Sequence, residues 1–133
     1  MGEIVEASRP LSAAELDALK VLWERGPVPV RGVLDALAAD RDWAYTTAKT
    51  ILDRLVEKGY VRRDRRVRPY VYHPTVTREQ VVAGELATLR DDVCDGEFGP
   101  LLRALIGEAR PTADEIRELR DYLDALDSED DAR

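Results

Sequence analysis

Two stretches of this chain concentrate side chains that could act on another molecule. Thr46, Thr47, Lys49, Thr50 and Arg54 fall close together, and Arg62-Arg63-Asp64-Arg65-Arg66-Val67-Arg68 follows soon after. Lysine and arginine donate to phosphate oxygens or to guanine acceptors, while threonine offers a hydroxyl to phosphate or base and a methyl to thymine. This chemistry suits recognition of a polyanion. The single histidine, His73, and the single cysteine, Cys94, leave no nucleophile and base to pair and no Gly-rich loop to cradle a phosphate, so an enzyme is not expected. They are also too few for a metal site of the usual Cys/His kind, and neither metal nor cofactor is expected. His73 reads as structural, and Cys94, in an apolar helical stretch, as a small buried hydrophobe.

The elements that must position these side chains can be read from period and punctuation. Ser12 as N-cap with Glu15 at N3 forms a capping box, Leu11 and Leu16 a hydrophobic staple, and Leu16, Leu19, Leu22 and Trp23 recur at helical spacing until Gly26-Pro27, giving a helix over 13–25. Val28-Pro29-Val30 suggests a short edge strand, and Val33, Leu34 and Leu37 a second helix ending near Ala39. A third helix, from about Ala44 to Lys58, would bury Ala44, Ala48, Ile51, Leu52 and Leu55 and stop at Gly59. At 100° per residue that stripe turns Thr46, Thr47, Lys49, Thr50 and Arg54 to the opposite face or its flanks, with Asp53 and Glu57 farther along. Trp43 and Tyr45 beside its start could contact the sugar-phosphate backbone, but aromatics at a helix start are more often packing residues.

Tyr60-Val61 and Tyr70-Val71-Tyr72 then switch to strand composition around the basic run, which predicts a β-hairpin with a basic tip. A lone polar helix face is ordinarily just solvated, and a lone basic hairpin is as often edge protection as phosphate contact. Three threonines in five positions are poor choices for mere solubility, and the two features adjoin. Three helices followed by a hairpin is the order of a winged helix.

The second half is helical. Thr77 with Gln80 caps a helix to about Val93, Phe98, Leu101, Leu102, Leu105 and Ile106 form a short stripe, and Thr112 with Glu115 caps a helix in which Ile116, Leu119, Tyr122, Leu123 and Leu126 recur. So few helices make a poor independent core, so a second copy is expected to cover Leu86, Leu89 and these stripes. The expected fold is mainly α with a small β-hairpin: a winged helix-turn-helix over 8–75, a three-helix dimerisation region over 76–127 and a frayed acidic tail over 128–133.

The net charge of -7 conceals a division. Residues 1–75 hold 13 basic and 11 acidic side chains, residues 76–133 hold 7 and 16, and residues 41–72 hold 9 and 4. Local field governs attraction to phosphate more than overall charge does. No run of about 20 apolar residues suggests a membrane span, and the acidic opening MGEIVEASRP is unlike a secretory signal, so a cytoplasmic location is expected.

The segment DWAYTTAKTILDRLVEKGYVRRDRRVRPYVYHP resembles the BlaI/MecI/CopY family of penicillinase and copper-operon repressors, with LSAAELDALKVLWERGPVPVRGVLDAL before it and DGEFGPLLRALIGEARPTADEIRELRDYL after it. The resemblance implies a homodimeric repressor on an inverted-repeat operator, with Thr46, Thr47, Lys49, Thr50 and Arg54 on the recognition helix and Arg65, Arg66 and Arg68 on the wing. Antibiotic-responsive members are inactivated by proteolysis before a phenylalanine that Phe98 resembles, with Glu97 here where those members often have Asn; the partner implied is a sensor metalloprotease. The paired CxC motifs of the copper-sensing members are absent. The competing reading, motivated by the acidic balance, is a winged-helix adaptor that binds protein without DNA.

Overall fold

The structure is a computed structural model, and it describes residues 10–131. The elements are α1 (Ala13–Arg25), α2 (Val30–Ala36), α3 (Tyr45–Glu57), β1 (Val61–Asp64), β2 (Val71–Pro74), α4 (Arg78–Val93), α5 (Phe98–Ala109) and α6 (Ala113–Asp131). This is the mainly α architecture with a small hairpin that the sequence predicts. Two compact units are present, the first ending at Glu85 and the second beginning at Leu86. The division falls inside α4. The expected domain start at residue 8 and the last two tail residues lie outside the described residues.

In the first unit α1 begins with both halves of the capping box: the Ser12 amide donates to Glu15 Oε1 at 2.9 Å and the Glu15 amide to Ser12 Oγ at 3.1 Å. Its end requires Gly26, which adopts φ +82°, a conformation costly for any residue with a Cβ. Ala18, Leu19 and Leu22 of α1, Val33 of α2, Ala48, Leu52 and Leu55 of α3 and Tyr72 of β2 form the buried core. Gly32 is needed for contact rather than conformation, because a Cβ there would stand 2.7 Å from Val28 Cβ.

Three local expectations change. Val28 alone pairs, as an isolated bridge to Tyr72, and Val30 opens α2, because Pro29 has no amide to extend a ladder. Ala44 is exposed as the N-cap of α3, so the buried stripe begins at Ala48. β1 takes in Arg62, Arg63 and Asp64, which the sequence assigns to the hairpin tip; the antiparallel register pairs Val61 with Pro74, Arg62 with His73, Arg63 with Tyr72 and Asp64 with Val71. The tip is thus residues 65–70, with a cis Arg68-Pro69 peptide.

At the edge of this unit the Trp23 indole donates to the Val76 carbonyl at 2.8 Å, tying α1 to the segment that leads into α4. The Thr77 and Gln80 capping box is present there, and that of Thr112 and Glu115 opens α6. Pro100 is tolerated in α5 because it lies in the first turn, where its missing amide costs no helical bond. Helix α6 continues to Asp131, through four residues of the stretch expected to fray. None of the second unit's described residues is buried, and Cys94 is half-exposed rather than buried as expected.

Candidate nucleic-acid interface

Burial of Ala48, Ile51, Leu52 and Leu55 leaves Thr46, Thr47, Lys49, Thr50 and Arg54 exposed together on α3. The entry to this helix is open. Ala44 offers no side-chain cap and the first turn carries no acid, so neither supplies a carboxylate to the amides there or to the positive end of the helix dipole. Two arginines flank that entry: Arg31 of α2 stacks over the Tyr45 ring at 5.7 Å and Arg41 over Trp43 at 5.3 Å. Trp43 packs against the core as expected, whereas Tyr45 is exposed.

Asp53 joins α3 to the hairpin. Its Oδ2 accepts from Lys49 Nζ at 2.8 Å, and its Oδ1 accepts from Arg63 Nη1 at 2.7 Å and from the Tyr72 hydroxyl at 3.3 Å. Lys49 is therefore not a free cation; the Asp53 hydrogen bond and charge push its ammonium above the ordinary lysine value. Arg54 has no ion pair among the described residues. The i,i+4 spacing of Lys49 and Asp53 is readable in the sequence. The bonds from Arg63 and Tyr72 are not, because they depend on the hairpin register.

On the wing, Arg65, Arg66 and Arg68 are all exposed. Arg66 is anchored from within the hairpin: its amide and Nε donate to Asp64 Oδ1 at 2.9 and 3.0 Å. Those bonds hold the Asp64 carboxyl down to about 2, so the pair stays charged across the physiological range. Arg68 lies over the Tyr70 ring at 4.7 Å, and Arg65 has no ion pair among the described residues. His73 Nε2 lies 4.0 Å from Asp64 Oδ2.

In the second unit the candidate dimerisation residues fall on three helices. Leu86, Leu101 and Leu102 are half-buried, while Leu89, Phe98, Leu105, Ile116, Leu119, Tyr122, Leu123 and Leu126 are exposed. Between α5 and α6 lies an apolar groove of about 590 Å³ lined by Leu102, Leu105, Ile106, Leu119 and Tyr122. Glu97 is the N-cap of α5 and Phe98 its first residue, 63% exposed. No helix among the described residues is long and apolar enough to cross a membrane.

A core of three helices with a hairpin packed beside the third, and an exposed basic and threonine-rich face on that third helix, define a winged-helix transcription regulator. The chain matches the penicillinase repressor family over residues 11–125 and belongs to that family. A penicillinase repressor of Bacillus licheniformis is 24% identical over 86% of this chain and 89% of its own length. The transcriptional regulator BlaI of Mycobacterium tuberculosis is 47% identical over 64 residues, which are 47% of this chain and 46% of that one. A MarR family protein from Bacillus stearothermophilus shares the fold, with a TM-score of 0.51 at 19% identity over 91% of this chain and 76% of its own. The protein is a sequence-specific DNA-binding transcriptional repressor of the BlaI/MecI type and not an enzyme.

Proposed function

We propose that the chain works in the cytoplasm as a homodimer on an inverted-repeat operator, each protomer laying α3 in a major groove with its wing along the neighbouring backbone. The observation that carries this reading is the exposed face of Thr46, Thr47, Lys49, Thr50 and Arg54, held beside the wing through Asp53 and Arg63. Thr46, Thr47 and Thr50 would meet base edges and Arg54 a phosphate or guanine, while Arg65, Arg66 and Arg68 neutralise backbone charge. The acids of α3, Asp53 and Glu57, lie in its second half, so the helix would enter the groove by its N-terminal end.

A dimer over a promoter blocks polymerase sterically. The apolar faces of α5 and α6, left open in the single chain, supply the surface for the second copy. Relief of repression follows from loss of that dimer. The Glu97-Phe98 bond sits at an exposed helix entry, and a cut there by a sensor metalloprotease would separate α5 and α6 from the winged helix.

Selection of binding sites from a randomised duplex pool tests the reading. The wild-type chain should enrich one inverted repeat, Thr47→Ala should change the preferred bases, and Arg54→Gln should weaken binding. A pool that shows no enrichment at low salt contradicts it.

A further inference from the structure

A carboxylate on the outward flank of a helix that faces phosphates repels them, so whatever Asp53 contributes must come through the groups it holds. Those groups come from three elements. Lys49 lies one turn earlier on α3, Arg63 belongs to β1 and Tyr72 to β2. Arg63 and Tyr72 are also Cα partners across the hairpin, so one carboxylate grips both strands at a single rung. Tyr72 is fixed in turn, buried in the core with its amide donating to the Val28 carbonyl at 2.9 Å. The Arg63 side chain is 19% exposed, and its Nε is buried with no partner among the described residues; its guanidinium is held by the bond from Nη1 to Asp53 and by a side-chain hydrogen bond with Tyr72, itself a donor to Asp53. Lys49, 49% exposed, is paired along the helix with Asp53 at 2.8 Å.

We propose that Asp53 is a positioning residue that sets specificity: it locks the recognition helix and the wing in one geometry and restrains Lys49, giving up raw affinity for DNA in return for discrimination. The inference rests on the reading that α3 and the hairpin face DNA.

The test compares the full chain with Asp53→Asn, Arg63→Gln and the double variant, by fluorescence anisotropy on the wild-type-selected duplex and on a scrambled duplex of equal length and composition, across salt. Asp53→Asn should bind the scrambled duplex several-fold more tightly, with a salt slope steeper by about one as Lys49 is released to phosphate. Its ratio of selected to scrambled affinity should fall about tenfold, equivalent to about 1.4 kcal/mol. Arg63→Gln should lower the same ratio while weakening binding to the scrambled duplex. The double variant should lose no more discrimination than Asp53→Asn alone, because both substitutions break one link.

An Asp53→Asn chain that gains equally on both duplexes overturns the proposal, since Asp53 would then be only a repelling charge. Should Asp53→Asn fail to fold by circular dichroism, Arg63→Gln decides: a folded Arg63→Gln chain with the wild-type ratio overturns it. A wild-type chain that selects no sequence sinks the underlying reading, whereas a discriminating wild type with equally discriminating variants sinks the positioning role alone.

Discussion

Glu15 closes the α1 capping box through Oε1, and the same oxygen accepts from Lys58 Nζ at 2.7 Å, while Lys58 also donates to the Pro10 carbonyl at 2.9 Å. The carboxylate is 2% exposed, so the first turn of α1 and the end of α3 are joined by a buried charge. Burial pushes this carboxyl up, but the Lys58 hydrogen bond and charge, with the Ser12 bonds, outweigh it and leave the carboxyl below its ordinary value of 4.5. A depressed carboxyl contributes stability above its unfolded value and loses it as pH falls through the folded one. Glu15→Gln keeps an acceptor for the cap but strands the Lys58 charge, and should cost about 2 kcal/mol near neutrality. Urea melts across pH should show that deficit shrinking as the pH drops below 4.5; a deficit constant with pH would refute the ion pair. The capping half of this arrangement is legible in the sequence because its partners stand three residues apart. The Lys58 half is not, since only the folded path brings residues 15 and 58 together.

At the scale of elements, α1 and α3 were legible because each carries a long apolar stripe with a stop signal, and the wing was less so. Arg62, Arg63 and Asp64 have little strand propensity of their own, yet they extend β1 because the register offers His73, Tyr72 and Val71 as partners. The basic run is thereby divided. Arg63 turns to Asp53, and Arg65, Arg66 and Arg68 are left on the tip. If these three meet phosphates, replacing all three by Gln should weaken binding to every sequence and reduce the salt slope by about 3, at roughly 0.9 per contact, with base preference unchanged. Anisotropy titrations over a range of salt measure this directly, and an unaltered slope would remove the wing from the interface.

For the whole molecule, the charge division and the fold agree on roles. The basic stretch 41–72 becomes the exposed face of α3 and the hairpin, and the acidic excess falls on helices most of whose large apolar residues are exposed. Tyr122 is 65% exposed, and each large apolar side chain on α5 and α6 that a second copy fully covered would gain about 1.5 to 3 kcal/mol. That the second unit leaves large apolar side chains exposed was legible from too many apolar stripes on too little chain. Which faces would meet a second copy was not, because pairing between copies would leave no periodic mark in one sequence. In the proposed binding mode, two copies of the winged helix read one inverted repeat. The most direct test of this mode is sedimentation of the chain with the selected duplex, intact or with one half-site scrambled. Two protomers should bind each intact duplex, and scrambling one half-site should weaken binding by about 100-fold or more, a loss of several base contacts at roughly 1–3 kcal/mol each. A single protomer bound per duplex, with affinity indifferent to the second half-site, would contradict it.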